Sequence, residues 1–351
     1  MAADNVSSVQ RWICDLQNGE RHDFVQFCST GYDDLRDVFL SHLLCTLVVF
    51  RANETTQDVR KASELLEVVL AACRCTKPSL TLQRLGQEIA SGLYQQEITQ
   101  DPEKLVDFLY SQVIKERPAH DLSIASAWDL TRELLGGSPR AYDCRLETPF
   151  VLIKGSGTGK EEAVIAQFVF ERLPNGSGEL FIAAEQAFVW MDDEFRRLFS
   201  DVPKAVRQLL RNEGKSFDDC DIRVRVQFWG GDKLVDDPLT GNSGSGAAAR
   251  GLWYLLANKV PDREIIVLAQ IDGTGSLSGV AGIETKVQEV AKAKDRFDTI
   301  IVASADNERD ARSALRKLGK EGDIEVVNIE KPGPASGSAP KPWSPADGSH
   351  A

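Results

Sequence analysis

Gly241-Asn242-Ser243-Gly244-Ser245-Gly246 is the stretch on which the reading of this chain turns, together with Gly282-Ile283-Glu284-Thr285-Lys286 further on. The first run puts a serine in a glycine-rich turn just ahead of an apolar helical pattern. The second puts a lysine at the start of another helix, 43 residues after Ser243. The four histidines are His22, His42, His120 and His350, so none lies between Gly136 and Asp347. A Ser-His-Asp triad is therefore excluded within that span unless a distant segment folds back to supply the imidazole. If a serine is activated here, lysine is the natural base.

A serine hydroxyl is a poor nucleophile until a neighbour takes its proton. A lysine can do so only as the neutral amine, which an apolar surround favours over the ammonium. Val280, Ala281, Ile283, Val287 and Val290 flank Lys286, with few charges among them. The glycines beside the serine would let a substrate backbone come close. The N-terminus of the helix expected over residues 246–256 would offer N–H groups to an oxyanion.

These paired runs resemble the Ser–Lys dyad of the Lon-type (S16) peptidase domain. The likeness covers about half the chain, from near Pro149 to near Glu330. Asp221-Ile222-Arg223-Val224-Arg225-Val226 is similar to the strand that precedes the serine loop in that family. Thr240-Gly241-Asn242-Ser243 stands where the family has Gly-Pro-Ser, and the helix that follows has leucines at Leu252 and Leu256. The run from Gly275 to Lys286 resembles the family's Gly-x-Val-x-x-Ile-Gly-Gly-x-x-x-Lys, and Asp306-Asn307-Glu308-Arg309-Asp310 its later Asn-Glu-x-Asp helix start. The resemblance implies a Lon-like fold with Ser243 as nucleophile and Lys286 as base. Ser245 is a rival nucleophile, but spacing to Lys286 and the helix register favour Ser243.

Several positions depart from the family. Asn242 replaces its proline. The threonine expected near the lysine falls at Leu268, and the acidic residue just after it at Gln270. The segment between the Asp221 strand and Ser243 is longer than usual and carries Trp229, Gly230, Gly231, Asp236 and Asp237.

No AAA+ motor is expected. Lys154-Gly155-Ser156-Gly157-Thr158-Gly159-Lys160-Glu161 has a superficial likeness to a phosphate loop. Lysine holds the place of its first glycine, and a carboxylate stands where Mg²⁺ wants a hydroxyl. The segment reads as a glycine-rich hairpin or loop, and neither a cofactor nor a metal is expected.

Bulk properties narrow the choice. The 351 residues are enough for two domains, 42% hydrophobic content permits a core, and 27% charged content suits a soluble protein. A net charge of −12 argues against general affinity for nucleic acid or an anionic membrane surface. The apolar runs are too short to span a bilayer, and no signal-peptide pattern opens the chain, so the cytoplasm is the expected location. The seven scattered cysteines read as reduced thiols, and Cys73-Arg74-Cys75 is too tight for a zinc half-site. His42 near Cys45 reads as core packing.

Residues 1–136 carry helical periodicity. Leu35, Val38, Phe39, His42, Leu43, Leu47 and Phe50 mark one helix, and others are expected over 56–73, 81–94, 102–115 and 123–135. Asp33, Asp34, Asp37, Glu64 and Glu67 read as solvated faces. Gly136-Gly137-Ser138-Pro139 opens a linker expected over 137–148. Strands are expected over 163–170, 179–184, 222–228, 265–268, 299–303 and 324–327, with helices over 193–212, 246–258, 285–293 and 308–318. The tail over 331–351, rich in Pro, Gly, Ser and Ala, is expected to be disordered. The expectation is an α+β chain, with an N-terminal all-helical bundle followed by a Lon-protease-like α/β domain over 149–330.

Two functions compete. One is an ATP-independent serine endopeptidase with a Ser243–Lys286 dyad. It would cleave a protein substrate and be recruited or regulated through a protein partner of the helical half, with room for a homo-oligomer. Such fusions resemble effectors of bacterial signalling or defence systems. The other is an inactive or catalytically weak Lon-fold scaffold or assembly subunit, which the changes at Asn242, Leu268 and Gln270 would suit.

Overall fold

The computed structural model describes residues 40, 43–44, 47, 58–75, 129, 140–154, 162–176, 178–183, 186, 191–212, 218–235, 239–260, 265–293 and 295–329. The chain divides into two compact units. The first comprises Met1–Ala141 with Phe181–Asp192 and Asp236–Leu239; the second comprises Tyr142–Leu180, Asp193–Val235 and Thr240–Ala351.

In the first unit, α1 (Asp58–Cys75) follows the expected helix closely. Ala62, Leu65, Leu66 and Val69 are buried while Glu64 and Glu67 are exposed, the partition that helical spacing demands. Leu40, Leu43, Leu44 and Leu47 are helical and buried. Helical Asp129 is buried and accepts from Arg140 Nε at 2.7 Å. The helices expected over 81–94 and 102–115, the rest of that over 123–135, the loop 155–161, the His42–Cys45 pair and the tail lie outside the described residues.

The second unit is built on two sheets. The first takes β1 (Cys144–Lys154), β2 (Glu162–Pro174), the start of β3 (Leu180–Ile182) at Leu180, and β4 (Cys220–Phe228), with β1, β2 and β4 hydrogen-bonded in that order. β1, β2 and β4 run antiparallel, with Phe150 opposite Ala166 and Ala166 opposite Phe228. β2 and β4 are buried along nearly their whole length, so both faces are covered. Phe150 and Phe168 stack across the pair at 4.1 Å, and Phe168 meets Phe195 of α2 (Asp193–Asn212) at 6.5 Å. Residues 144–148, expected as linker, are the start of β1. Charged Arg145 and Glu147 disguise the strand, and Pro149 sits within it. Proline has no N–H for a ladder and fits here because β1 is at the edge of its sheet.

Opposite residues on the other face are polar. Glu171 of β2 lies beside Arg223 and Arg225 of β4, accepting from Arg223 Nε at 2.8 Å and pairing with Arg225 at 2.5 Å. Gln167 donates to Gln227 nearby, and all four glutamine and ion-pair centres Gln167, Gln227, Glu171 and Arg223 are buried.

The second sheet, β5-β8-β9, is parallel and comprises β5 (Ile265–Leu268), β8 (Thr299–Val302) and β9 (Glu325–Asn328). The crossovers carry α4 (Ile283–Lys292) and α5 (Ala305–Lys317), after α3 (Ser245–Leu256) has led from β4 into β5. A short antiparallel pair, β6 (Gln270–Ile271) and β7 (Leu277–Ser278), was not foreseen because two-residue strands leave no periodicity. Ile266, Leu268, Ile283, Val287, Val290, Ile300, Val302, Ala311 and Leu315 form one core cluster. Ser304 caps α5, accepting from Asn307 N–H at 3.0 Å. The chain is α+β, with mixed sheets. No helix among the described residues is long and apolar enough to cross a membrane. Cys73, Cys144 and Cys220 form no disulfide, and burial, aided by the Asp219 carboxylate, pushes Cys220 up to about 11.

Glu171 supplies a stability prediction. Burial pushes its carboxyl up, but hydrogen bonds and charge from Arg225 and then Arg223 outweigh it and hold the carboxyl below its ordinary value. Glu171→Gln should cost about 3 kcal/mol in urea unfolding, because Arg223 and Arg225 lose the carboxylate they share. The folded carboxyl titrates below the unfolded one. Its contribution is therefore fully present above the unfolded pKa of about 4.3 and is lost as pH falls through the folded value. The variant should lack that part of the acid sensitivity of wild type.

Candidate active site

The serine turn is built by hydrogen bonds that single out one of the two serines. Gly241 adopts φ +75°, a conformation that favours glycine, and turns the chain out of Thr240. Asn242 C=O then accepts from Ser245 N–H at 3.1 Å and from Ser245 Oγ at 2.9 Å. The same Ser245 Oγ accepts from Ile271 N–H at 2.9 Å. Ser245 is fully buried and its hydroxyl is spent on holding the turn to β6. Ser243 is half-buried.

The glycines here have a different use from the one expected. A Cβ on Gly244 would stand 3.0 Å from Phe150, and one on Gly246 would stand 2.6 Å from Ala269 O. They let α3 press on the strands, and they do not simply clear a path for substrate. The expected oxyanion donors also change. Ser245 N–H serves Asn242 and Gly246 N–H donates to Ala269 O at 3.0 Å, so those two N–H groups of the first turn of α3 are already committed. Further along α3, Arg250 is fully buried with its guanidinium 4.9 Å from the Tyr254 ring centroid.

Lys286 occupies the first turn of α4 and is only 3% exposed. Its N–H donates to Gly282 O at 3.1 Å. Gly282 caps the helix at φ 66°, and a Cβ there would meet Ile153 at 2.9 Å. Ile283, Val287 and Val290 on the same helix join Leu268 in the core cluster. Leu268 thus packs beneath the helix that carries the lysine, while Gln270 lies in β6, paired with Ser278. The approach to α4 is clamped by a residue whose part was not read from sequence. Asn307 Oδ1 accepts from Val280 N–H at 2.7 Å, and its Nδ2 donates to Val280 O at 3.0 Å. Its place in Asp306-Asn307-Glu308 drew attention to it, but the target, 27 residues earlier in the chain, is a tertiary matter.

Both loops border the same strands. The serine turn abuts β1 at Phe150 and the β5–β6 junction at Ala269 and Ile271; the lysine helix abuts β1 at Ile153 and shares its core with Leu268 of β5. Residues 155–161 connect Lys154 to Glu162, which face each other in antiparallel strands. A phosphate loop instead leads from a strand into a helix N-terminus. Among the described residues no three His, Cys, Asp or Glu side chains cluster so as to hold a metal ion. No protein-family model matches this chain, and no curated protein matches it.

Two structural roles can be checked by substitution. Ser245→Ala strands the buried Ile271 N–H and should cost about 1–3 kcal/mol in thermal unfolding. Asn307→Ala removes both bonds to Val280 and should lower stability by a similar amount, with faster amide exchange at Val280.

Proposed function

We propose that this chain is an ATP-independent serine endopeptidase of Lon-like fold, with Ser243 as nucleophile and Lys286 as general base. The observation that carries the reading is the burial of Lys286 in the first turn of α4 among Ile283, Val287 and Val290. An amine withdrawn from bulk water is in the setting where lysine serves as a base. The engagement of the Ser245 hydroxyl supports Ser243 over its neighbour.

In this mechanism Ser243 Oγ adds to the scissile carbonyl carbon while its proton passes to the Lys286 amine. The ammonium then gives that proton to the departing amine nitrogen as the C–N bond breaks. Water repeats the sequence on the acyl-serine and releases the acid. The N–H groups of Ser243 and Gly244 are the candidates for the oxyanion, since those of Ser245 and Gly246 are committed. The first unit, expected to be helical, would recruit or gate a protein substrate, as in an effector of a bacterial signalling or defence system. A scaffold without activity is the second reading, favoured by Leu268 where the family has threonine.

A fluorophosphonate probe separates the two. It should label Ser243 in the full chain and fail on Ser243→Ala. Hydrolysis should fall by roughly a thousandfold both in that variant and in Lys286→Arg, whose guanidinium stays charged. Ser243→Ala should leave unfolding within about 0.5 kcal/mol of wild type. The wild-type rate should rise with pH as the base loses its proton. Full activity in Lys286→Arg would remove lysine from the mechanism.

A further inference from the structure

The lysine helix starts from a soft approach. Gly279 and Gly282 flank Val280 and Ala281, and glycine restrains its backbone less than any other residue. Ala281 and Gly282 are exposed, so packing holds them little. Val280 is buried in the core cluster, but apolar burial is non-directional and leaves the tilt of its peptide planes open. Asn307 supplies the direction. Its Oδ1 accepts from Val280 N–H at 2.7 Å and its Nδ2 donates to Val280 O at 3.0 Å, so one planar amide grips both peptide groups of one residue. Asn307 is tied in turn through its own N–H to Ser304 Oγ at the head of α5.

The neighbouring position leaves room for this grip. A Cβ on Gly279 would lie 2.5 Å from Asn307 Oδ1 and 2.7 Å from Ser304 Oγ. Gly279 is not among the glycines with positive φ, so the clamp and not the backbone calls for glycine there. From Val280 the constraint passes to the base. Gly282 O accepts from Lys286 N–H at 3.1 Å and closes the opening turn of α4. A tilt at Val280 would swing that turn about the two glycines and carry Lys286 with it. Reacting groups must sit within about 0.5 Å of the productive geometry, and a misplacement of about 1 Å can cost about 100-fold in rate. We infer that Asn307 is a positioning residue for the Lys286 base, its two bonds to Val280 setting the direction in which α4 starts. The inference rests on the Ser243–Lys286 reading. Loss of the clamp should slow proton transfer from Ser243 without changing what the site binds.

The test uses the full chain and a fluorophosphonate, whose phosphorus bonds to Ser243 Oγ as fluoride leaves and the serine proton passes to Lys286. The readings are the fraction of chains labelled at completion, the limiting rate per labelled site, and the probe concentration that gives half that rate. Wild type that fails to label at Ser243 sinks the dyad reading and this inference with it. Given labelling, Asn307→Ala should lower the limiting rate by about 10- to 100-fold, with the half-saturating concentration within about twofold of wild type. Asn307→Asp keeps the acceptor for Val280 N–H, loses the donor to Val280 O, and should fall between the two. Gly279→Ala leaves Asn307 in the chain but displaces its Oδ1, and should reproduce the behaviour of Asn307→Ala. Glu171→Gln, destabilised at the ion pair of the first sheet, should keep the wild-type rate per labelled site. Melting curves establish which variants are folded, and Asn307→Asp with Gly279→Ala carries the test if Asn307→Ala is not. A limiting rate within about twofold of wild type in the folded Asn307 and Gly279 variants overturns the positioning role and leaves the dyad standing. So does a loss confined to the labelled fraction or to the half-saturating concentration, or an equal fall in Glu171→Gln.

Discussion

The close approach of α3 to the strands beneath it is the constraint on which the serine turn depends. A Cβ at Gly251 would lie 2.2 Å from Thr148 Oγ1, and one at Gly246 would lie 2.6 Å from Ala269 O. Neither distance is sterically attainable, so the helix reaches this depth only because those positions have no side chain. Its neighbours Ala247, Ala248 and Ala249 are small and fully buried for the same reason. Once α3 is seated, Gly246 N–H meets Ala269 O and Ser245 Oγ meets Ile271 N–H. The turn that holds Ser243 is thus suspended between a helix and the end of β5, and its shape follows from that docking.

The first sheet divides its labour between two faces. The face toward α2 and α3 is aromatic, with Phe168 stacked on Phe150 and meeting Phe195 of α2. The other face carries Glu171, Arg223, Arg225, Gln167 and Gln227. Burying an ion pair gains little stability over an apolar substitute, because desolvation offsets most of the attraction. Breaking it is costly, however, and its geometry penalises a one-residue slip of β2 against β4. Such a slip would set Glu171 against apolar partners and turn its phenylalanine neighbours to the wrong side.

The two candidate catalytic groups are held by unlike means. Ser243 belongs to a hydrogen-bonded turn, with polar anchors at Asn242 and Ile271. Lys286 belongs to a helix start set by packing, by the left-handed Gly282 cap and by the Asn307 clamp on Val280. Asn307 is itself held by the Ser304 cap, so α5 supports the path into α4. Changes at α5 would reach the lysine without touching it. That coupling runs wholly within the second unit.

Much of the local structure was legible in the sequence. The helix over Asp193–Asn212 and the strand over Ile265–Leu268 coincide with their expected bounds, since amphipathic period and β-branched runs are local properties. The prominence of the Ser243 and Lys286 loops was legible too, because glycine clusters and a lysine amid valines are visible in one dimension. β1 was not, since Pro149 and alternating charges mask a strand that only its pairing with β2 reveals. The engagement of the Ser245 hydroxyl depends on Ile271 N–H, 26 residues away. Residue type and spacing determine which groups the chain can offer and where helices and strands begin. Which of those groups are consumed by the structure and which are left over for chemistry is settled by tertiary contacts, because a hydrogen bond or a buried atom is a relation between segments distant in the chain.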